Sequence, residues 1–154
     1  MSNDAQERGP TARAHADAPR ASSLRGRLEG MRVLLVDDEQ DSCELTAFVL
    51  RKAGAHATVA FNLADALTLF DELKPDLVMT DLTFPDGEDP FAFLVALRER
   101  RSDLPVIVLS GNTASDKIEE VRAAGFQTFL AKPVTLDALV SAVAVFKPSA
   151  DTPR

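Results

Sequence analysis

Four short stretches of the sequence carry side chains that could do chemistry together. Their reactive members are three carboxylates, one hydroxyl and one ammonium: Asp37, Asp38, Asp81, Ser110 and Lys132. Carboxylates held close together repel one another, and a divalent cation removes that repulsion. Mg²⁺ prefers oxygen ligands and often bridges carboxylates to a phosphate, while a lysine ammonium and a serine hydroxyl suit phosphoryl oxygens. The set is typical of phosphoryl transfer, in which positioning and charge neutralisation carry most of the catalysis.

Strands and helices must alternate to bring these stretches together. Short apolar runs predict strands over residues 32–36, 57–60, 77–80, 105–109 and 127–131. Helical patterns predict helices over 41–53, 63–73, from Pro90 onward, 115–123 and 135–146, with Asn62 as the cap of the second and Thr135 as the cap of the fifth. In the first helix the apolar periodicity of Leu45, Phe48 and Val49 predicts the buried face. Strict alternation predicts an α/β fold: a doubly wound, five-stranded parallel sheet flanked by five helices.

The reactive stretches all follow predicted strands. In open parallel sheets, ligands bind outside the carboxyl ends of the strands. Asp37-Asp38 follows the first strand and Asp81 ends the third, while Ser110 and Lys132 follow the fourth and fifth. Taken alone, an Asp-Asp pair is usually a turn or a helix cap, and Ser-Gly and Lys-Pro are usually turns or loops. Their joint placement at four strand ends favours a common site.

Composition sets the domain boundaries and excludes some classes of function. The chain has 154 residues and a formal net charge of −7, and the acidic excess lies outside the first thirty residues. We predict a disordered tail over 1–30, with room for a short helix near Leu24 to Leu28, then a domain over 31–147 and a flexible tail over 148–154. The N-terminal tail is interpreted as passive, with a segment that docks a partner or localises the protein as the alternative. An acidic domain argues against nucleic-acid binding.

Membrane insertion and disulfide bonding are also disfavoured. No apolar run approaches the eighteen residues that a membrane span needs, and the N-terminal segment lacks the apolar core of a signal peptide. The single cysteine, Cys43, cannot form an internal disulfide and is interpreted as a packing or surface residue. The sequence therefore predicts a cytoplasmic protein.

Four motifs together resemble the response-regulator receiver family of two-component signalling. They are Val33-Leu34-Leu35-Val36-Asp37-Asp38-Glu39, Asp76-Leu77-Val78-Met79-Thr80-Asp81-Leu82, Pro105-Val106-Ile107-Val108-Leu109-Ser110-Gly111 and Phe129-Leu130-Ala131-Lys132-Pro133. The resemblance covers residues 31 to about 146. It implies the flavodoxin-like strand order 2-1-3-4-5 and a phosphoacceptor that is not a turnover enzyme. It also implies a sensor histidine kinase or a histidine phosphotransfer protein as the donor.

The resemblance assigns a role to each site residue. Asp81 matches the phosphorylated aspartate, and Lys132 the lysine that contacts the phosphoryl group. The implied metal is Mg²⁺, and its implied protein ligands are Asp37, Asp38, Asp81 and the backbone carbonyl of Thr83. Of the pair after the first strand, Asp38 is the favoured direct ligand. Ser110 and Phe129 match the two switch residues, which would couple the site to the face formed by the fourth helix, fifth strand and fifth helix. Phe129 has an alternative reading as an ordinary core residue.

One segment departs from the usual family pattern. After Asp81 the family often has Leu-x-Met-Pro and, a few residues later, Asp-Gly. Here the chain reads Leu82-Thr83-Phe84-Pro85-Asp86-Gly87-Glu88-Asp89-Pro90. Phe84 replaces the common Met, the Gly comes early and extra acids follow. The conformation of this loop, its partner contacts and the lifetime of the phosphoryl group are therefore where this chain is expected to differ.

Two other functions fit parts of the pattern. A phosphatase with an aspartyl-phosphate intermediate could use Asp81, but haloacid-dehalogenase-type phosphatases have a second Asp two residues later, where this chain has Thr83. A scaffold that works without phosphorylation would not need the reactive set, yet all of its members are present. The phosphoacceptor function is therefore preferred, with a downstream protein as the partner and neither nucleic acid nor membrane involved.

Overall fold

The fold is a parallel sheet covered by helices on both faces. The structure, a computed structural model, describes residues 25–84, 88–111, 115–126 and 128–148. The strands are β1 (Arg32–Val36), β2 (His56–Ala60), β3 (Leu77–Asp81), β4 (Val106–Ser110) and β5 (Thr128–Ala131). The helices are α1 (Gln40–Lys52), α2 (Leu63–Leu73), α3 (Pro90–Arg100), α4 (Ser115–Ala123) and α5 (Leu136–Ala144). The predicted alternation is confirmed. Each predicted bound lies within two residues of the observed one.

The sheet has the predicted order β2-β1-β3-β4-β5, and all four strand pairings are parallel. Its register aligns the reactive strand ends. Asp81 is paired with Leu109, and the next residue of β4, Ser110, is paired with Ala131. Because Lys132 follows Ala131 directly, the ends of β3, β4 and β5 bring their polar residues to one edge.

Each central strand buries side chains on both faces. In β1, Val33 and Leu35 belong to one core layer, while Leu34 and Val36 belong to the other. Helices α1 and α5 cover the first layer, and α2, α3 and α4 cover the second. Burial on both faces explains why these strands are continuous apolar runs rather than alternating ones.

Polar caps fix where several helices begin. The side chain of Asn62 accepts a hydrogen bond from the Asp65 amide at the start of α2, and Thr135 accepts one from the Ala138 amide at the start of α5. Asp89 caps α3 immediately before Pro90, the predicted first residue. Such caps satisfy amides that have no partner within the helix and each contribute about 1 kcal/mol.

The predicted buried face of α1 is wrong in part. Leu45 and Phe48 are 64% and 54% exposed, whereas Val49 is buried. The helix instead packs on the core through Cys43, Ala47, Val49 and Leu50. The periodicity of the large apolar residues did not mark the face that packs, since the small side chains of Cys43 and Ala47 allow a closer approach of the helix to the sheet.

Packing begins N-terminal to the boundary that the composition suggested. Residues 25–30 form turns, and Leu28 is fully buried in the same core layer as α1 and α5. The Leu28 amide donates to the carbonyl of Ala53 at 2.8 Å, and the Arg27 guanidinium donates to the Ser141 hydroxyl at 3.1 Å. Residues 25–30 are therefore part of the packed domain. The predictions for residues 1–24 and 149–154 lie outside the described residues.

The helices that the structure describes are all too short or too polar to cross a lipid bilayer.

Candidate phosphoacceptor site

The first two carboxylates of the site follow β1. The Asp37 amide donates to the carbonyl of Ala60, the last residue of β2, which holds this turn at the end of the sheet. Asp37 is only 3% exposed, and its Oδ1 accepts a hydrogen bond from the Glu39 amide at 3.0 Å. Asp38 is exposed. One buried and one exposed carboxylate thus stand side by side at the rim.

The third carboxylate, Asp81, ends β3 at the centre of the sheet. Its Oδ1 accepts hydrogen bonds from the amides of Leu82 at 2.6 Å and Thr83 at 3.3 Å. Its side chain is 14% exposed. Backbone donors therefore fix the orientation of a carboxylate that keeps a narrow opening to solvent.

Lys132 joins the carboxylates across the sheet. Its Nζ lies 2.9 Å from Asp81 Oδ2 and 3.1 Å from Asp37 Oδ2, and its side chain is 29% exposed. Burial lowers the pKa of Lys132, but hydrogen bonds and charge attraction from Asp81 and Asp37 outweigh burial and leave the pKa above its ordinary value of 10.5. The lysine is therefore a permanent cation at neutral pH.

The residues fit a divalent cation of the magnesium type. Asp37, Asp38 and Asp81 each offer an oxygen, and these oxygens all lie within 4.8 Å of one another. With the ammonium of Lys132 among them, the four side chains carry an excess of two negative charges. An all-oxygen set with this charge suits Mg²⁺, which binds through one or two carboxylates and keeps several waters.

The remaining predicted residues lie at or near the same edge. Thr83 is exposed and is held through its amide to Asp81. Ser110 ends β4 opposite Ala131, and its side chain lies outside the described part of the structure. Phe129, in β5, is half-buried and packs against the second core layer. The structure thus brings Asp37, Asp38, Asp81 and Lys132 into one cluster, with Thr83 attached to it.

Sequence reasoning missed two contacts near this cluster. The Arg122 guanidinium lies 4.9 Å from the centroid of the Phe129 ring, which adds a cation–π contact to the predicted switch residue. The Glu88 carboxylate accepts a hydrogen bond from the Leu63 amide at 3.0 Å, so the loop after β3 reaches the first residue of α2. The extra acids after Phe84 were visible in the sequence, but the spacing gave no sign of a contact 25 residues away.

A cavity of about 770 Å³ lies at the opposite end of the sheet and does not belong to this site. Its lining includes Arg100 and Arg101, which already pair with Asp71 and Asp103. Arg101 also donates a hydrogen bond to the backbone carbonyl of Pro75 at 3.3 Å. The guanidinium groups of Arg100 and Arg101 are therefore already engaged in contacts within the chain.

Comparison with known proteins agrees with the geometry. The family model for the response regulator receiver domain matches residues 33–144. The transcriptional regulatory protein PrrA of Mycobacterium leprae is 35% identical over 112 residues, which cover 73% of this chain and 48% of PrrA. Hybrid signal transduction histidine kinase D of Dictyostelium discoideum is 33% identical over 127 residues, which cover 76% of this chain and 8% of the kinase. The chain thus spans less than half the length of these two relatives.

Among solved structures, a response regulator receiver domain protein from Clostridium thermocellum superimposes with a TM-score of 0.70 at 25% identity. The alignment covers 75% of this chain and 93% of that one.

Proposed function

Because this chain belongs to the response regulator receiver domain family of two-component signalling, we propose that it accepts a phosphoryl group on Asp81 from a phosphohistidine. The observation that supports this most is the convergence of Asp81, Asp37, Asp38 and Lys132 from three separate strand ends. A charge-neutralising cluster around a nucleophilic carboxylate is what phosphoryl transfer requires.

Asp81 is the nucleophile in this proposal. One of its carboxylate oxygens forms a bond to phosphorus while the bond from phosphorus to the donor imidazole nitrogen breaks, and that nitrogen keeps the electron pair. Because only 14% of the Asp81 side chain is exposed, the donor must approach from the open rim of the sheet. The Leu82 and Thr83 amides hold Oδ1 and so fix the direction of attack.

The proposed metal ligands are Asp37, Asp38, Asp81 and the backbone carbonyl of Thr83. When bound, Mg²⁺ would neutralise charge on the phosphoryl oxygens. Lys132 supplies the second positive charge: its Nζ is within hydrogen-bond distance of Asp81 Oδ2 and can donate to a phosphoryl oxygen attached there. The chain would act as a phosphoacceptor that assists its own phosphorylation and dephosphorylation, not as a turnover enzyme.

The proposed response to phosphorylation is a shift between two pre-existing conformations. The Ser110 hydroxyl would donate to the phosphoryl group, and Phe129 would change rotamer in concert. Phe129 is only half-buried, which leaves its ring room to move, and it lies beneath Arg122 of α4. This couples the site to the face formed by α4, β5 and α5.

A separate protein is the proposed recipient of the signal at that face. Two apolar side chains next to or within α5, Leu136 and Val145, are 43% and 76% exposed and are available for such a contact. We propose a sensor histidine kinase or a histidine phosphotransfer protein as the donor. The chain would act as a single receiver domain that either switches its binding to a partner protein or passes the phosphoryl group to another protein. We place this function in the cytoplasm, where the ATP that phosphorylates such donors is supplied.

Beryllofluoride, which mimics a phosphoryl group on aspartate, tests this function. The chain has no tryptophan or tyrosine, so amide NMR spectra are a better readout than intrinsic fluorescence. We expect beryllofluoride with Mg²⁺ to shift resonances at the rim and in the α4–β5–α5 face of the wild type, and to leave Asp81→Asn unchanged. Equal responses of the two proteins would refute the proposal.

A further inference from the structure

Arg122, in the last turn of α4, holds its guanidinium over the ring of Phe129. The guanidinium carbon lies 4.9 Å from the ring centroid, within the range of a cation–π interaction. The same group lies 3.8 Å from the carboxylate of Glu119, one turn earlier in the helix. The side chains of Arg122 and Glu119 are 50% and 76% exposed, so their ion pair contributes little. The contact with the ring is therefore the more significant of the two.

The ring of Phe129 is held on one side by the core and on another by this contact. Phe129 is half-buried and packs against the second core layer, to which Val121 of α4 also belongs. A half-buried side chain can exchange between staggered rotamers more readily than a fully buried one. A change of rotamer moves the whole ring and carries it away from a guanidinium on a neighbouring helix. The cation–π contact thus stabilises the observed rotamer in particular.

The observed conformation has the arrangement that precedes phosphoryl transfer in the proposed function, since Lys132 Nζ contacts Asp81 Oδ2 directly at 2.9 Å. We propose that Arg122 is a positioning residue that restrains Phe129 in this resting conformation and so opposes the shift that phosphorylation produces. The proposal rests on the function proposed above, in which Phe129 changes rotamer. An interaction made in only one of two states changes their equilibrium by its full strength, whatever else holds the ring.

The strength of the contact sets the size of the effect. A cation–π contact at a partly exposed site changes an equilibrium constant by about two- to fivefold. The apparent dissociation constant of a ligand equals its intrinsic constant divided by the fraction of competent molecules. We therefore expect Arg122→Met, which keeps the apolar stem, to bind beryllofluoride with Mg²⁺ about two- to fivefold more tightly than the wild type.

The chain offers a matched control. Arg98 of α3 lies 4.6 Å from the centroid of the Phe126 ring, which packs in the same core layer. Phe126 is 4% exposed and precedes β5, so it is not one of the predicted switch residues. Arg98→Met removes a similar cation–π contact and should leave beryllofluoride affinity unchanged. Glu119→Gln, which removes only the ion pair of Arg122, should do the same.

The measurement is a beryllofluoride titration at saturating Mg²⁺, followed by amide NMR, with the ring resonances of Phe129 recorded before the first addition. In Arg122→Met these resonances should already lie part of the way toward their positions in the loaded wild type. Arg122→Lys keeps a cation within reach of the ring and should restore most of the wild-type behaviour. In a Phe129→Leu background, Arg122→Met should have no further effect, because the guanidinium then has no ring to restrain.

The outcomes separate this inference from the function on which it rests. Unchanged or weaker beryllofluoride binding by Arg122→Met would overturn the inference, as would an equal gain in Arg98→Met or Glu119→Gln. A further gain from Arg122→Met in the Phe129→Leu background would also overturn it. If the wild type responds to beryllofluoride no differently from Asp81→Asn, the proposed function fails and the inference fails with it.

Discussion

Removing the ammonium of Lys132 is the perturbation whose effect the site geometry constrains best. In Lys132→Met the apolar stem remains, but Asp81 Oδ2 and Asp37 Oδ2 lose a cation 2.9 Å and 3.1 Å away. Both carboxylates are mostly buried, with 14% and 5% of their side chains exposed. The variant therefore leaves two nearby negative charges with little solvent to screen them.

The magnitude can be bounded from these contacts. Breaking a fully buried ion pair costs about 3–5 kcal/mol, and hydrogen bonds to charged groups contribute about 1.5–3 kcal/mol. Lys132 is itself 29% exposed, which reduces the cost. We expect the free energy of unfolding of Lys132→Met to fall by about 2–3 kcal/mol at pH 7 without Mg²⁺. Mg²⁺ should stabilise the variant more than the wild type, since it supplies the missing positive charge.

Urea unfolding followed by far-ultraviolet circular dichroism measures this loss, with Lys147→Met as the control because Lys147 is exposed. The pKa of Lys132 is raised in the folded state, so its contribution is fully present below pH 10.5 and is lost as the pH rises through the raised pKa. The difference between variant and wild type should shrink in that range. A loss in Lys132→Met no larger than in Lys147→Met would refute the reasoning.

Three further predictions concern the burial of individual side chains. Leu28→Ala should lower the free energy of unfolding by about 2–5 kcal/mol, since Leu28 is fully buried; a neutral result in urea unfolding would mean that residues 25–30 do not belong to the domain. Phe48→Ser should change the free energy of unfolding by less than about 0.5 kcal/mol, because Phe48 is exposed. Leu50→Ala should lower it by about 2–5 kcal/mol, because Leu50 is buried. Equal losses in the two variants would contradict the observed buried face of α1. Burial, aided by the charges of Asp37 and Glu44, raises the pKa of the Cys43 thiol from 9.0 to about 12. Alkylation at pH 9 should therefore be roughly five-hundredfold slower in the folded than in the unfolded chain, because only the thiolate reacts, and comparable rates would contradict this. The free energy of unfolding should fall as the pH rises above 9, because the unfolded thiol ionises before the folded one.

The order of the elements was predictable from the sequence because each one carries its own local signal. The apolar strands are short, and Asn62 and Thr135 mark helix starts by capping chemistry that acts within three residues. Given a parallel sheet, the carboxyl ends of its strands must lie at one edge, so the cluster of Asp37, Asp81 and Lys132 followed from the topology.

Features that depend on contacts distant in sequence could not be predicted. The exposure of Phe48 depends on how closely α1 approaches the sheet, and the burial of Leu28 depends on the core layer to which α1 and α5 contribute. The contact from Glu88 to Leu63 joins residues 25 positions apart, in a segment whose sequence departs from the family pattern. In each case the local sequence allows several packings, and only the assembled core selects one.

Identifying the phosphorylated residue tests the central claim most directly. The protein is incubated with acetyl phosphate and Mg²⁺, then reduced with borohydride, which converts an aspartyl phosphate to homoserine, and its peptides are sequenced by mass spectrometry. The account predicts homoserine at position 81, dependent on Mg²⁺ and strongly reduced in Lys132→Met. Homoserine at another aspartate, or its absence at position 81 when Mg²⁺ is present, would contradict it.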